Sequence, residues 1–295
     1  MRPHHRFAAL YAVILTAFTL YILLDTFAIA RVIQQVPTAP TAEATTPPPQ
    51  QVQITESSYQ DGNISISITE YREYDTSIYV ADVQLSSPDL LKTALAENAY
   101  GRNLREKTSE MAQSHGAILA INGDYYGSRE EGYVLRNGVL YRSDGDTDRQ
   151  DLVIYDDGGF GIVSEKNVTA QNLQRSGAWQ IFSFGPALVQ NSQVSVDEDT
   201  EVDQATYSNP RTAIAIVDDL HYLLVVSDGR TERSEGLSLY QLAQFLQSLG
   251  AKTAYNLDGG GSSTMWFNGK LINEPVDHGS KVSERKVSDI VYIGY

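Results

Sequence analysis

The 295-residue sequence predicts an α+β domain, mostly antiparallel sheet with hairpins and a few helices, preceded by one N-terminal transmembrane helix. Three observations carry that class. Short segments of alternating apolar and polar residues recur along the chain, several of them flanking Asn-Gly or Asp-Gly pairs that favour tight hairpin turns. One amphipathic helical stripe stands near residue 240, too little helix for a bundle. The first thirty residues hold a long uncharged run. Apolar residues make up 42% of the chain, enough for a substantial core. The net charge of −15 argues against a nucleic-acid partner, which is bound by lysine and arginine clusters that this sequence lacks. With no cysteine, disulfides, thiolate metal sites and thiol nucleophiles are ruled out.

Taken in order, Phe7 to Leu24 carries no charge, and Asp25 interrupts an apolar run that Thr26 to Ala30 continues. Its length approaches the roughly 20 residues of a membrane-spanning helix. Arg2 and Arg6 precede it, and after Arg31 no Lys or Arg appears until Arg72, which places the N-terminus in the cytoplasm and the rest outside. The expectation is a single-pass protein of the cell membrane; cleavage at Ala28-Ile29-Ala30 would make it secreted. The organisation expected is a cytoplasmic stub and anchor over 1–33, a Pro/Thr-rich linker over 34–56 and an extracytoplasmic domain over 57–295. Pro47-Pro48-Pro49 stiffens that linker, which reads as a spacer lifting the domain off the membrane.

Within the domain, Ile64 to Ile68 and Ile78 to Leu85 alternate as half-buried strands, and Thr108 to His115 reads as a helix. Ala117 to Ile121 is a continuous apolar run, a central strand that discharges into Asn122-Gly123-Asp124-Tyr125-Tyr126. Hairpins are expected around Asn137-Gly138 and Asp157-Gly158, and a strand-turn-strand over Trp179 to Gln190 through Phe184-Gly185-Pro186. Ala213 to Val217 and His221 to Val226 pair across Asp218-Asp219, with Arg211 and Arg230 expected at opposite ends of that pair. The planar fork of arginine suits a phosphate, so the two form a candidate clamp.

Ser238 to Leu249 is the best helix: Leu239, Leu242, Ala243, Leu246 and Leu249 form one stripe, Ser238 and Gln241 a capping box, and Gly250 the stop. It leads into a strand over Lys252 to Leu257 and then into Asp258-Gly259-Gly260-Gly261-Ser262-Ser263. Successive backbone N–H groups in such a loop can form an anion-binding nest, with Ser262 and Ser263 as further donors and Asp258 as a carboxylate at the rim. A plain turn accounts for the glycines alone equally well; the flanking Asp and Ser residues favour a site. Thr264 to Phe267 and Ser288 to Tyr295 are the closing strands, with His278 a surface loop residue between them.

Five segments in order, Asn122-Gly123-Asp124-Tyr125-Tyr126, Asn209-Pro210-Arg211-Thr212, Asp228-Gly229-Arg230 with Ser234 and Gly236, Asn256-Leu257-Asp258-Gly259-Gly260-Gly261-Ser262-Ser263-Thr264, and Glu284-Arg285, resemble the phosphodiester glycosidase family over residues 90 to 295. That family includes bacterial envelope proteins labelled as exopolysaccharide biosynthesis proteins. One departure is Asp124, where the family usually has a second glycine.

The resemblance implies a hydrolase that splits a sugar-1-phosphodiester, such as an N-acetylglucosamine-α-1-phosphate diester, into free sugar and phosphomonoester. Under it Asp258 is the carboxylate at the anomeric carbon, with Asp228, Glu284 and Asp124 as further candidates. Arg211, Arg230, Gly259 to Gly261 and Arg285 hold phosphate, with Asn122, Ser262 and Ser263 lining the pocket. No cofactor is implied; a structural calcium is an alternative raised by the Asp-rich and Asn-rich loops, although no EF-hand spacing is present. The reading from a different class is a non-catalytic envelope module that binds glycan or teichoic-acid phosphate through the same donors. Teichoic acid, capsule precursor and lipid-linked sugar phosphate are all reachable from outside the membrane.

Overall fold

The structure is a computed structural model that describes residues 3–37, 51–145, 149–200, 208–277 and 282–295, with side chains from residue 7 onward. His278 and most of the Pro/Thr-rich segment lie outside the described residues. Helix α1 spans Pro3–Phe27, and its Phe7–Phe27 stretch is long and apolar enough to cross a membrane. Strand β1, Arg31–Gln35, follows almost at once and pairs antiparallel with Ala99–Arg102. The sequence reading has no strand there, because five residues without alternation acquire strand character only from their partner.

Every strand pairing within a sheet is antiparallel. The largest sheet has nine strands, with Arg211–Asp218 and His221–Ser227 at its centre between Thr253–Leu257 and Thr76–Leu85. Its two central strands are buried on both faces and read as near-continuous apolar runs, whereas Ile64–Glu73 and Thr76–Leu85, toward one edge, keep exposed positions and alternate. One face takes helix α4, Leu239–Ser248, whose Leu239, Leu242, Ala243 and Leu246 pack on Ile78, Ala213, Val225 and Ala254. The capping box forms in both directions: Ser238 Oγ accepts from Gln241 N at 3.1 Å and Gln241 Oε1 from Ser238 N at 2.9 Å. The opposite face, with Ala81, Ile214, Leu224 and Leu257, packs on a five-stranded sheet through Leu119, Ile121, Met265 and Val291. Helix α2, Thr108–Ser114, covers that smaller sheet's far side through Met111 and Ala112. The last helix, α3 (Ala170–Arg175), packs with Leu173 on the second five-stranded sheet.

Two sequence expectations are corrected. Ala178–Phe182 and Ala187–Gln190 do not form a hairpin: the first joins the strand Gln150–Tyr155 and the second joins Thr253–Leu257, so the chain crosses between sheets at Ser183–Pro186. Arg211 and Arg230 stand at the same end of their strand pair, because Arg211 lies opposite Ser227 in the antiparallel register. The Asn137-Gly138 turn is as expected, with φ of 48° and 76° at its two central residues.

Candidate active site

Three strand ends of the nine-stranded sheet converge: the start of Arg211–Asp218, the end of His221–Ser227 and the end of Thr253–Leu257. The end of Leu119–Asn122, from the smaller sheet, meets them. The junction is backbone to backbone, since Asp258 N donates to Gly123 O at 3.1 Å. Asn122 is fully buried and works as a clamp: Nδ2 donates to Asp258 O at 2.6 Å, while Oδ1 accepts from Thr212 Oγ1 at 2.8 Å and Thr264 N at 3.2 Å. One amide side chain thereby ties three of the motifs together.

The glycines are required by close approach. A Cβ on Gly259 would stand 2.9 Å from Pro210 O. Gly260 has φ of 62°, and a Cβ there would lie 3.0 Å from Arg230 Nη2; one on Gly261 would lie 2.6 Å from Asp277 Oδ1 and 2.8 Å from Arg285 Nη2. The turn therefore lies directly against two guanidinium groups. Arg230, itself at a left-handed φ of 61°, is oriented by Asn209, whose Oδ1 accepts from Nη2 at 2.7 Å and Nε at 3.1 Å. Arg285 Nε donates to Asp277 Oδ1 at 2.6 Å. Desolvation and repulsion from Arg285 lower the Arg230 pKa, against the pull of Asp277. Arg211 is buried beneath the turn, its Nε donating to Leu237 O at 2.8 Å.

Asp258 opens the turn. Its side chain keeps some exposure, yet protein surrounds it on the other sides, and this desolvation pushes its carboxyl up to about 6. The Ser262 hydroxyl and the charges of Arg285 and Arg129 pull the other way, and Asp124 adds to the rise. At neutral pH the group is an anion, but a basic one. The Ser263 and Thr264 hydroxyls are buried and make no hydrogen bond with the described residues.

The other carboxylates occupy different places. Asp124 is buried in an ion triad: Arg136 Nη2 donates to Asp124 Oδ2 at 2.9 Å and Arg136 Nε to Asp289 Oδ2 at 2.8 Å. The Arg136 guanidinium also stacks over Phe182, 4.2 Å from the ring centroid. Burial and the neighbouring Asp124 raise Asp289, while Arg136 lowers it. The triad underlies Gly123, where a Cβ would come within 2.3 Å of Asp289 Oδ1. It thus sets the carbonyl that receives Asp258 N.

Asp228 lies across the serine end of the loop, accepting from Glu274 N at 2.9 Å and from Asn273 Nδ2 at 3.2 Å; the same Asn273 amide donates to Ser263 O at 2.9 Å. Its carboxyl faces a separate polar cleft of about 450 Å³ with Glu70, Arg72, Tyr79 and Arg233, and burial raises its pKa. Glu284 accepts from Ser109 N at 3.0 Å and Ser109 Oγ at 2.6 Å, so it caps the first turn of α2. Arg129 and Asp277 were missed by sequence reasoning. Neither sits in a motif; Arg129 follows the Asn122 to Tyr126 segment by three residues, which is the one local signal. Among the described residues no group of three or more His, Asp or Glu could hold a metal ion.

A mostly antiparallel α+β fold with an arginine-flanked glycine turn at the junction of two sheets defines the class, and residues 115–294 match the phosphodiester glycosidase family model: the chain belongs to that family. Among its relatives, the SPbeta prophage-derived uncharacterized protein YomE of Bacillus subtilis is 33% identical over 201 residues, covering 66% of this chain and 31% of that protein. The N-acetylglucosamine-1-phosphodiester alpha-N-acetylglucosaminidase of Mus musculus is 30% identical over 188 residues, covering 59% of this chain and 36% of the enzyme. The chain thus matches about a third of the length of these relatives. The zebrafish catalytic domain of the same enzyme, auto-inhibited by its pro-peptide, superposes with a TM-score of 0.65 at 21% identity, over 90% of this chain and 88% of that one. A hypothetical protein from Synechocystis superposes with a TM-score of 0.61 at 16% identity, over 85% and 64%.

Proposed function

We propose that this chain hydrolyses a sugar-1-phosphodiester at the bond between the anomeric carbon and the phosphate oxygen, releasing free sugar and a phosphomonoester. The observation that carries the reading is the pair of guanidiniums, Arg230 and Arg285, held against adjacent glycines of one turn while repelling each other. An anion between them relieves that repulsion, and the Gly259–Gly261 backbone approaches it with no side chain in the way. A phosphate leaving group needs charge neutralisation more than protonation, which guanidiniums and backbone N–H groups supply.

Asp258 is the carboxylate for the anomeric carbon, serving as nucleophile or as base for water. A carboxyl near 6 suits either role at neutral pH, being ionised yet more basic than an exposed aspartate. Asn122, Arg211 and the Asp124–Arg136–Asp289 triad position its backbone. Glu284 is a positioning residue that anchors the segment carrying Arg285 to α2. N-acetylglucosamine α-1-phosphate is the sugar unit proposed, following the activity in the relatives' names. In this reading the site lies outside the cell membrane, with α1 as its anchor. The test is proton NMR of the full chain with a methyl α-N-acetylglucosamine-1-phosphate diester: free sugar accumulates with the parent and not with Asp258→Asn. A bound, unhydrolysed ligand in both samples would overturn catalysis.

A further inference from the structure

The contact between the apolar helix and the domain carries more than tethering. Helix α1 ends at Phe27 and β1 begins four residues later, so at most about 14 Å of chain separates them. The join is built from both sides. Asn103 Nδ2 donates to Thr26 O at 3.2 Å and Ile29 O at 3.1 Å, so a domain side chain binds carbonyls at the helix terminus. Arg31 pairs with Asp25 across the same join. Gly101 lets β1 approach closely: a Cβ there would stand 2.0 Å from Arg31 O. Beyond the strand, Val36 N donates to Asn98 O at 3.1 Å, and its side chain packs on the cluster of Leu95, Tyr100, Tyr126 and Val134.

That cluster reaches the site. Tyr126 stacks on Tyr100, Asn103 N donates to Gly127 O at 3.1 Å, and Arg102 pairs with Glu130 at 2.8 Å. The loop from Tyr125 to Glu131 is therefore tied to the strand on which β1 lies. It also carries Arg129, whose charge acts on Asp258, and it begins two residues after the carbonyl that receives Asp258 N.

We propose that β1 is a strap that holds the domain down on the bilayer with the Tyr125–Glu131 loop beside it, so that the site takes a glycosyl phosphodiester carried by a membrane lipid. This rests on the hydrolase reading for its substrate, but the strap itself does not. A flexible tether would leave the loop free to move away from the bilayer; a paired strand with a helix-end clamp keeps it close to the end of α1. The lipid then concentrates the diester where the mouth opens.

The experiment uses the full chain in vesicles of phosphatidylethanolamine and phosphatidylglycerol. Two diesters of α-N-acetylglucosamine-1-phosphate are offered, a hexadecyl ester in the vesicles and a methyl ester in solution. The strap is released by a Gly-Ser insertion of about twelve residues after Ala30 and, separately, by Gly101→Ala. Loop position is read apart from turnover: because the chain has no cysteine, a fluorophore on Glu131→Cys reports quenching by dinitrophenyl lipid.

The expected result is strong quenching that both releasing changes remove. Hexadecyl-ester cleavage falls at least about tenfold as effective concentration drops, while methyl-ester cleavage holds within about twofold. No quenching in the parent, or loss of both activities together, overturns the proposal. So does a parent that cleaves a detached teichoic-acid polymer faster than the hexadecyl ester. If the parent cleaves neither diester yet quenching is present and lost on release, the hydrolase reading fails and the strap stands.

Discussion

Replacing Asp258 by Asn removes one negative charge that the fold holds at a cost. The carboxyl rises from an ordinary 3.8 to about 6, roughly two pH units or about 3 kcal/mol, less whatever its exposed edge recovers from solvent; about 2 kcal/mol is a working figure. A carboxyl whose folded pKa lies above its unfolded value contributes stability fully below about pH 4, and that contribution is lost as pH rises through about 6. Asparagine mimics the protonated form and escapes the loss. Thermal melts should therefore coincide at pH 4 and diverge at pH 8, the variant melting about 4 to 8 °C higher.

Turnover runs the opposite way. The parent's rate should climb with a midpoint near 6, with about one-tenth of Asp258 ionised at pH 5, while the variant loses at least about 10²-fold at every pH. A variant that keeps most of its turnover, or one that melts no higher than the parent at pH 8, refutes the placement of Asp258 as a desolvated catalytic carboxylate.

Arg136→Met leaves Asp124 and Asp289 buried without their shared cation, a loss of about 3 to 5 kcal/mol in urea titration; a loss under about 1 kcal/mol would mean the triad does not hold the junction. Glu284→Gln weakens the cap on Ser109 by about 1 to 3 kcal/mol and changes kcat less than about threefold. A large kcat loss at unchanged stability would put Glu284 against the substrate. Gly261→Ala drives a methyl into Asp277 and the Arg285 guanidinium, and should raise KM about tenfold or more with kcat less affected, as steady-state kinetics on the methyl diester would show. Arg230→Ala and Arg285→Ala should each weaken phosphate binding about tenfold or more by calorimetry. Binding unchanged in both would remove the clamp.

Much of the fold was readable because its signals are local. The stripe and capping box of α4 and the Asn137-Gly138 turn need no partner to be recognised. Ala178–Phe182 and Ala187–Gln190 read as one hairpin because a glycine and a proline separate them; only the partners in two different sheets reveal a crossover. Strand β1 was invisible for the same reason.

In the candidate site, the glycine turn and its arginines were legible as residue types suited to an anion. Their different settings were not, because Asn122, Arg211 and Glu284 differ from Arg230 and Arg285 in burial and in partners that lie far along the chain. Asp124 is a carboxylate of the motif in the sequence alone; its ion-pair partner Arg136 and the second carboxylate Asp289, 12 and 165 residues further along the chain, join it only in the fold. Such long-range pairings leave no local pattern.

The most direct test of the central claim is to run hydrolysis of the methyl diester in ¹⁸O-water and locate the label by mass spectrometry. The account predicts ¹⁸O on the anomeric hydroxyl of the released N-acetylglucosamine and none on the phosphate. Label on the phosphomonoester would mean attack at phosphorus and would contradict a glycosidase with Asp258 at the anomeric carbon.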